Sequence, residues 1–114
     1  MTLHRMKLRP VPFDAIATGR KDIELRLLDE KRQMIQPGDR IEFTCTDAPQ
    51  RKLLTKVVAL HCFDSFATLY RSLSMSRCGY PTDRGADPAD MEAYYSPAQQ
   101  ACYSVVGIEL QLIL

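Results

Sequence analysis

The sequence predicts an α+β fold: a mostly antiparallel, strongly bent sheet or small open barrel, flanked by short helices. Three observations carry this. Hydrophobic periodicity marks segments in the order β-α-β-β-β, then helices, then β. The connections are mostly short, as antiparallel neighbours allow. No glycine-rich loop leads from a strand into a helix, which excludes the dinucleotide-binding and phosphate-loop folds. The 114 residues form one domain, 1–114, and 46% hydrophobic with 25% charged residues is enough to bury a core without disulfides or a metal.

Residues 4–9 set His4, Met6 and Leu8 against Arg5, Lys7 and Arg9, a first strand with a basic face. Pro10 and Pro12 end it. Pro12 suits the first turn of a short helix over 13–18, and Gly19 fits its C-terminal cap. Directly behind that glycine come Lys21, Glu24 and Arg26. Here Ile23, Leu25 and Leu27 alternate with Asp22, Glu24 and Arg26, a half-buried strand. Side chains at i and i+2 share a side, so Glu24 and Arg26 stand on one face roughly 7 Å apart, with the apolar residues turned to the core. Lys21, where the strand begins, can swing over the same face.

Residues 28–36 are charged and read as irregular. Gln36-Pro37-Gly38-Asp39 has Pro and Gly in type II turn order. Ile41, Phe43 and Cys45 alternate with Glu42 and Thr44 in a third strand; 47–50 read as a hairpin connection and 53–62 as a long apolar strand. Asp64 or Ser65 caps a helix over 66–74, and 77–88, rich in Gly, Pro and Asp, is a loop. Asp87-Pro88 starts another helix. Ser96-Pro97-Ala98-Gln99 repeats that logic with a capping box. Residues 103–114 make the last strand, with Val106, Ile108, Leu110, Leu112 and Leu114 on one face. So apolar a strand is either buried or pairs its edge with another chain, which leaves a homodimer open.

The net charge of +1 is unevenly spread. Residues 1–60 hold twelve Lys or Arg against eight Asp or Glu, and 61–114 hold three against six. The first half is thus the anion-facing side, though far short of the dense basic stripe of a duplex-DNA binder. Cys45, Cys62, Cys78 and Cys102 form no C-x-x-C pair, and with no signal peptide or membrane span in view they read as free thiols of a reducing cytoplasm. His4 and His61 lack partners at ligand spacing, so neither a metal nor a cofactor is expected.

Two cations and a carboxylate on rigid backbone make a candidate site for a phosphate-bearing or polar ligand. Lys21 would hold a phosphate or carbonyl, or act as a base if Arg20 and Arg26 depress its pKa. Glu24 would serve as general base or accept from a nucleobase amino group. Arg26 would grip phosphate or carboxylate with both arms of its fork. Tyr95 would stack on a base or donate its hydroxyl, with Ser96 and Lys7 beside it. Each has a structural alternative: Lys21 as a solvated turn residue, Glu24 paired with Arg26, Arg5 or Lys7, Tyr95 in the core, Ser96 as a helix cap only.

Four strings in order resemble the signature of ASCH domains, small relatives of the PUA-like fold: Pro12-Phe13 … Ile16 … Gly19-x-Lys21-x-x-Glu24-x-Arg26, Gly38-Asp39-x-Ile41-x-Phe43, Phe63-x-Ser65-Phe66, and Tyr94-Tyr95-Ser96 before Val105-Val106-Gly107-Ile108. They span residues 6–110. The resemblance implies a β-barrel-like core with a cleft lined by the Lys-Glu-Arg strand, and RNA binding; with the paired-sign strand and the positive first half, the expected ligand is single-stranded RNA or a nucleotide-like small molecule. It also implies an alternative activity, since some small bacterial members are amidohydrolases acting on N4-acetylcytidine and ribonuclease activity is attributed to others. Lys21 and Glu24 would then be the acid/base pair. The amidohydrolase set has a Thr three residues after its Lys; here that position is Glu24, so the hydroxyl nucleophile is missing there. A protein-interaction module, docking through the acidic half and residues 77–93, is the remaining reading.

Overall fold

The computed structural model describes residues 1–113, so the expected place of Leu114 on the last strand lies outside the described residues. Strands β1 (Leu3–Leu8), β2 (Ile23–Leu27), β3 (Arg40–Cys45), β4 (Lys52–Phe63) and β5 (Val105–Leu112) form one sheet in the order β1-β3-β4-β5-β2. Helices α1 (Pro10–Ala17), α2 (Glu30–Gln33), α3 (Phe66–Ser72) and α4 (Pro97–Tyr103) flank it, with 3₁₀ turns at Ser76–Cys78 and Pro88–Ala93. The α+β class and the bent sheet are as the periodicity predicts. β1 is the exception to antiparallel pairing: it runs parallel to β3, with Met6 beside Phe43, because α1, β2 and α2 intervene as a crossover.

The sheet curls until its two edge strands face each other without pairing. Side chains reach β1 instead: Arg26 Nη2 from β2 donates to Lys7 O and Lys31 Nζ from α2 donates to Arg5 O, each at 2.8 Å. Two cations thereby satisfy carbonyls on the free edge of β1 that a closed barrel would satisfy with backbone. A register break between Val57 and Ala59 adds to the bend in β4.

Two clusters fill the molecule. One packs Met6, Leu8, Phe13, Ile16, Ile41, Phe43, Val106 and Ile108 inside the curl, and the other packs Ile23, Leu25, Leu27, Phe66, Leu69 and Val105 behind it. β5 pairs with β4 on one side and β2 on the other, so it is an inner strand. That is the buried outcome for this strand.

Several boundaries differ from expectation for local reasons. α1 begins at Pro10, since proline is favoured at the first helical position. Residues 28–36, expected to be irregular, contain α2, where the Asp29 side chain accepts from the Arg32 N–H. The helix expected after Asp87 is a 3₁₀ turn. α4 runs to Tyr103, and Ser104, at φ 64, reverses the chain into β5.

The Pro37-Gly38 turn forms as read, with Gly38 at φ +93 and the Asp39 N–H bonded to Gln36 O at 3.0 Å. Asp39 then ties this turn to the start of β1, accepting from His4 Nε2 and from the backbone N–H groups of Thr2 and Gln36. The His4 bond first, then the two backbone bonds, hold its carboxyl down at about 2. The unfolded chain therefore binds more protons between about pH 4 and 2, and this part of the stability, full above pH 4, is lost as pH falls through that window. Asp39→Asn should flatten the dependence of stability on pH there. Urea titrations at a series of pH values test it; an unaltered acid limb would refute the assignment.

Candidate functional site

The cross-strand register decides where the charged residues of β2 point. Glu24 lies opposite Ile108 and Arg26 opposite Val106, and directly paired residues share a face. Val106 and Ile108 belong to the cluster inside the curl, so Glu24 and Arg26 point inward, onto the concave side. Ile23, Leu25 and Leu27 face the second cluster behind the sheet. The strand is therefore buried on both faces, not half-buried, and the ionic face is the inner one.

Inside, three side chains form a clasp. Lys21 Nζ lies 2.8 Å from Glu24 Oε1, and Arg26 Nε lies 2.8 Å from Glu24 Oε2. Glu24 is 4% exposed and Lys21 9%. Burial alone would raise the Glu24 carboxyl, but the pull of Lys21 and Arg26 and their hydrogen bonds outweigh it and hold it below its usual range. Glu24 is thus a carboxylate with a cation on each oxygen, a weak base but a firm anchor for the two cations. Both cations keep further donors for a ligand.

Lys21 owes its place to its neighbours. Its N–H donates to Ala15 O, fixing the turn out of α1. Gly79, at φ +109, passes over its side chain: a Cβ there would stand 3.3 Å from Lys21 Cδ. Arg77 pins this cover, donating to both oxygens of Asp22 at 2.9 and 3.0 Å and reaching Glu109 at 3.4 Å. Between them sits Cys78, where burial, against the pull of Lys21 and Arg77, pushes the thiol up to about 11. It is a packed thiol, not a nucleophile.

The clasp lines a cavity of about 520 Å³. That lies within the range of small-molecule sites, roughly 300–1,000 Å³. Lys7, at the end of β1, and Arg9, just beyond it, line the cavity, as do Tyr94 and Tyr95. Tyr94 is 59% exposed, with the Arg9 guanidinium 5.9 Å from its ring centre. Tyr95 is half-buried and stacked on Phe66 at 6.0 Å. Of the residues singled out by sequence, Lys21, Glu24, Arg26, Lys7 and Tyr95 thus converge on one cavity. Ser96 does not: it is exposed, and its hydroxyl and backbone complete the capping box with Gln99, so its role is the helix start. Arg5 pairs with Glu42 at 3.6 Å, away from Glu24.

Sequence reasoning missed Tyr70, Tyr80 and Asp90, which line another part of the cavity. Tyr70 and Tyr80 hydroxyls are 2.8 Å apart, and Tyr80 donates to Asp90 Oδ2 at 2.9 Å. Tyr70 sits on a helix face that reads as surface, and Tyr80 and Asp90 in a stretch that reads as loop. Nothing in their spacing marks them. Within the 77–93 stretch, Tyr80, Ala86 and Met91 pack against the second cluster, and Tyr80, Asp90 and Met91 line the cavity. No group of three or more His, Cys, Asp or Glu among the described residues is placed to hold a metal ion.

A family model described as the ASCH domain matches residues 6–113. Among solved structures, the chain is similar to hypothetical protein PH0355, at 27% identity over 99% of this chain and 100% of that one, with a TM-score of 0.81. It is similar to protein PF0455 from Pyrococcus furiosus, at 26% identity over 97% of both chains, with a TM-score of 0.75. ASCH from Zymomonas mobilis shares the fold at 15% identity, over 96% of this chain and 66% of that one, with a TM-score of 0.66. No curated protein matches the sequence.

Proposed function

This chain belongs to the ASCH domain family, and on that premise we propose that its cavity binds single-stranded RNA or a nucleotide-like small molecule. The observation that carries the reading is the Lys21-Glu24-Arg26 clasp on the cavity wall, with further basic groups and aromatic rings lining the same cavity. The clasp brings two cations and one carboxylate, and Lys7 and Arg9 add two more positive charges at the mouth. Such a site favours phosphate at the rim and a planar base against tyrosine. An exposed base can enter a cavity of this size, and a base inside a duplex cannot, so single strands are the fitting form of RNA.

Hydrolysis of RNA or of a modified nucleoside amide, with Lys21 and Glu24 as acid and base, is the weaker reading. Both Glu24 oxygens already accept from cations and its carboxyl is held low, the reverse of what a general base near neutral pH needs. No helix among the described residues is long and apolar enough to cross a membrane. All four cysteines are unpaired, which fits a reducing compartment such as the cytoplasm.

Fluorescence titration with labelled single-stranded RNA, at two salt concentrations, tests the reading. Lys7→Ala/Arg9→Ala removes the rim charges without touching the buried clasp. It should weaken binding about tenfold or more at low salt and shallow the salt dependence, because fewer counterions are released. Absence of binding at low salt, or a double variant that binds like the parent, would sink it.

A further inference from the structure

The Tyr70-Tyr80-Asp90 wall of the cavity has a polarity that follows from counting hydrogens. A phenol carries one O–H. Tyr80 spends its hydrogen on Asp90 Oδ2 at 2.9 Å, so in the 2.8 Å contact between the two tyrosines Tyr70 is the donor and Tyr80 the acceptor. Both hydrogens are directed along the chain toward Asp90. Burial first, and then the bonds to Tyr70 and Asp90, push the Tyr80 phenol far up, so it does not lose that hydrogen near neutral pH. Burial likewise raises Tyr70. What the wall presents to the cavity is therefore acceptors only: the remaining lone pairs of the two phenols and the second oxygen of Asp90. That oxygen, Oδ1, accepts from no protein donor among the described residues.

The basic part of the lining is the reverse. Lys21, Arg26, Lys7 and Arg9 offer donors and positive charge. A ligand that fits both walls has an acceptor or anionic end and a neutral donor end. A ligand with acceptors alone, such as a free inorganic anion, would meet the Asp90 carboxylate with nothing to give it.

We propose that Asp90, oriented by Tyr80 and Tyr70, is a specificity residue that accepts a hydrogen bond from a neutral donor of the bound nucleotide, either a ribose hydroxyl or an exocyclic amino group of the base. This deepens the nucleotide-binding reading and rests on it. Both donors lie on the nucleoside, and a carboxylate accepts equally well from each. Two independent deletions on the ligand distinguish them.

Calorimetric titrations would use the 5′-monophosphates of cytidine, uridine, adenosine and inosine, with 2′-deoxycytidine and 2′-deoxyadenosine, against the parent protein and Asp90→Ala. Asp90 is exposed, so its truncation leaves the fold intact. If the amino group is read, uridylate binds more weakly than cytidylate, or inosinate than adenylate. If the ribose is read, the deoxy forms are the weaker ones. The gap should be about tenfold, as for the loss of one hydrogen bond to a charged group. In Asp90→Ala it should close to within about twofold. Equal binding of all six by the parent, or a gap that survives in Asp90→Ala, overturns the role of Asp90 while leaving nucleotide binding in place. If neither these six nor RNA binds, the nucleotide-binding reading falls, and this inference with it.

Discussion

Glu24→Leu should be the most damaging single substitution in the ionic clasp, lowering stability by about 3–5 kcal/mol. For a domain of this size that is roughly 10–20 °C in Tm. The magnitude follows from what is left behind. Lys21 and Arg26 each lie 2.8 Å from a different Glu24 oxygen and are almost wholly removed from water. Without the carboxylate, two cations face each other in a desolvated place with no counter-charge. The clasp itself is a different matter. Desolvating three charges costs about as much as their attraction returns, so replacing the whole set by apolar residues of similar size is often neutral or better. Lys21→Met/Glu24→Leu/Arg26→Met should therefore recover most of the loss, ending within about 2 kcal/mol of the parent. Part of the shortfall is Lys7 O, which loses the donor Arg26 Nη2. The triple variant should fold and yet bind no nucleotide. Thermal and urea melts of the two variants, beside RNA titration of the triple, check this. A triple variant as unstable as the single one would mean the clasp is a net stabiliser. A folded triple variant that still binds RNA would mean the clasp is not the site.

How much of this was legible beforehand depended on whether the information was local. The turn at Gly38, the helix caps at Ser65 and Ser96 and the proline start of α1 are written in a few adjacent residues, and they formed. The period of two in β2 placed Glu24 and Arg26 together for the same reason. Which side they faced was not local. It is fixed by β5, some eighty residues downstream, whose register sets Glu24 against Ile108. The periodicity said "alternating", and the natural reading put the apolar set on the core side. The fold has two cores, one on each side of this strand, and the charged set faces the one inside the curl. The parallel pairing of β1 with β3 is non-local too, since it depends on β2 leaving to the far edge of the sheet. Tyr80 and Asp90 show the limit most plainly. They lie in a segment whose composition reads as turn and loop, and only its packing over Lys21 turns them into a wall.

The second large effect is expected at Phe66, where Phe66→Ala should cost about 3–5 kcal/mol. The ring is 0% exposed and sits in the cluster behind β2, at the first residue of α3. It differs from other core aromatics in what leans on it. The Tyr95 ring stacks against it, 19° from parallel, and the Phe66 N–H donates to Gln100 Oε1 of α4 at 3.3 Å. Phe66 thus joins α3, α4 and the aromatic rim of the cavity in one contact. Truncation leaves a cavity that the surrounding strands cannot fill, and it frees Tyr95 from its flat partner. Phe66→Leu separates the two consequences. It restores most of the volume, so stability should fall by less than about 1.5 kcal/mol. It restores no aromatic face, so Tyr95 should still lose its fixed orientation. Nucleotide affinity in Phe66→Leu should therefore fall several-fold at a temperature where the variant is fully folded, whereas a Leu→Ala change at Leu69, in the same cluster on the same helix, should lower stability and spare affinity in the folded fraction. If Phe66→Leu binds like the parent, the orientation of Tyr95 does not depend on this stack, and the aromatic rim must be held by the 88–95 backbone instead.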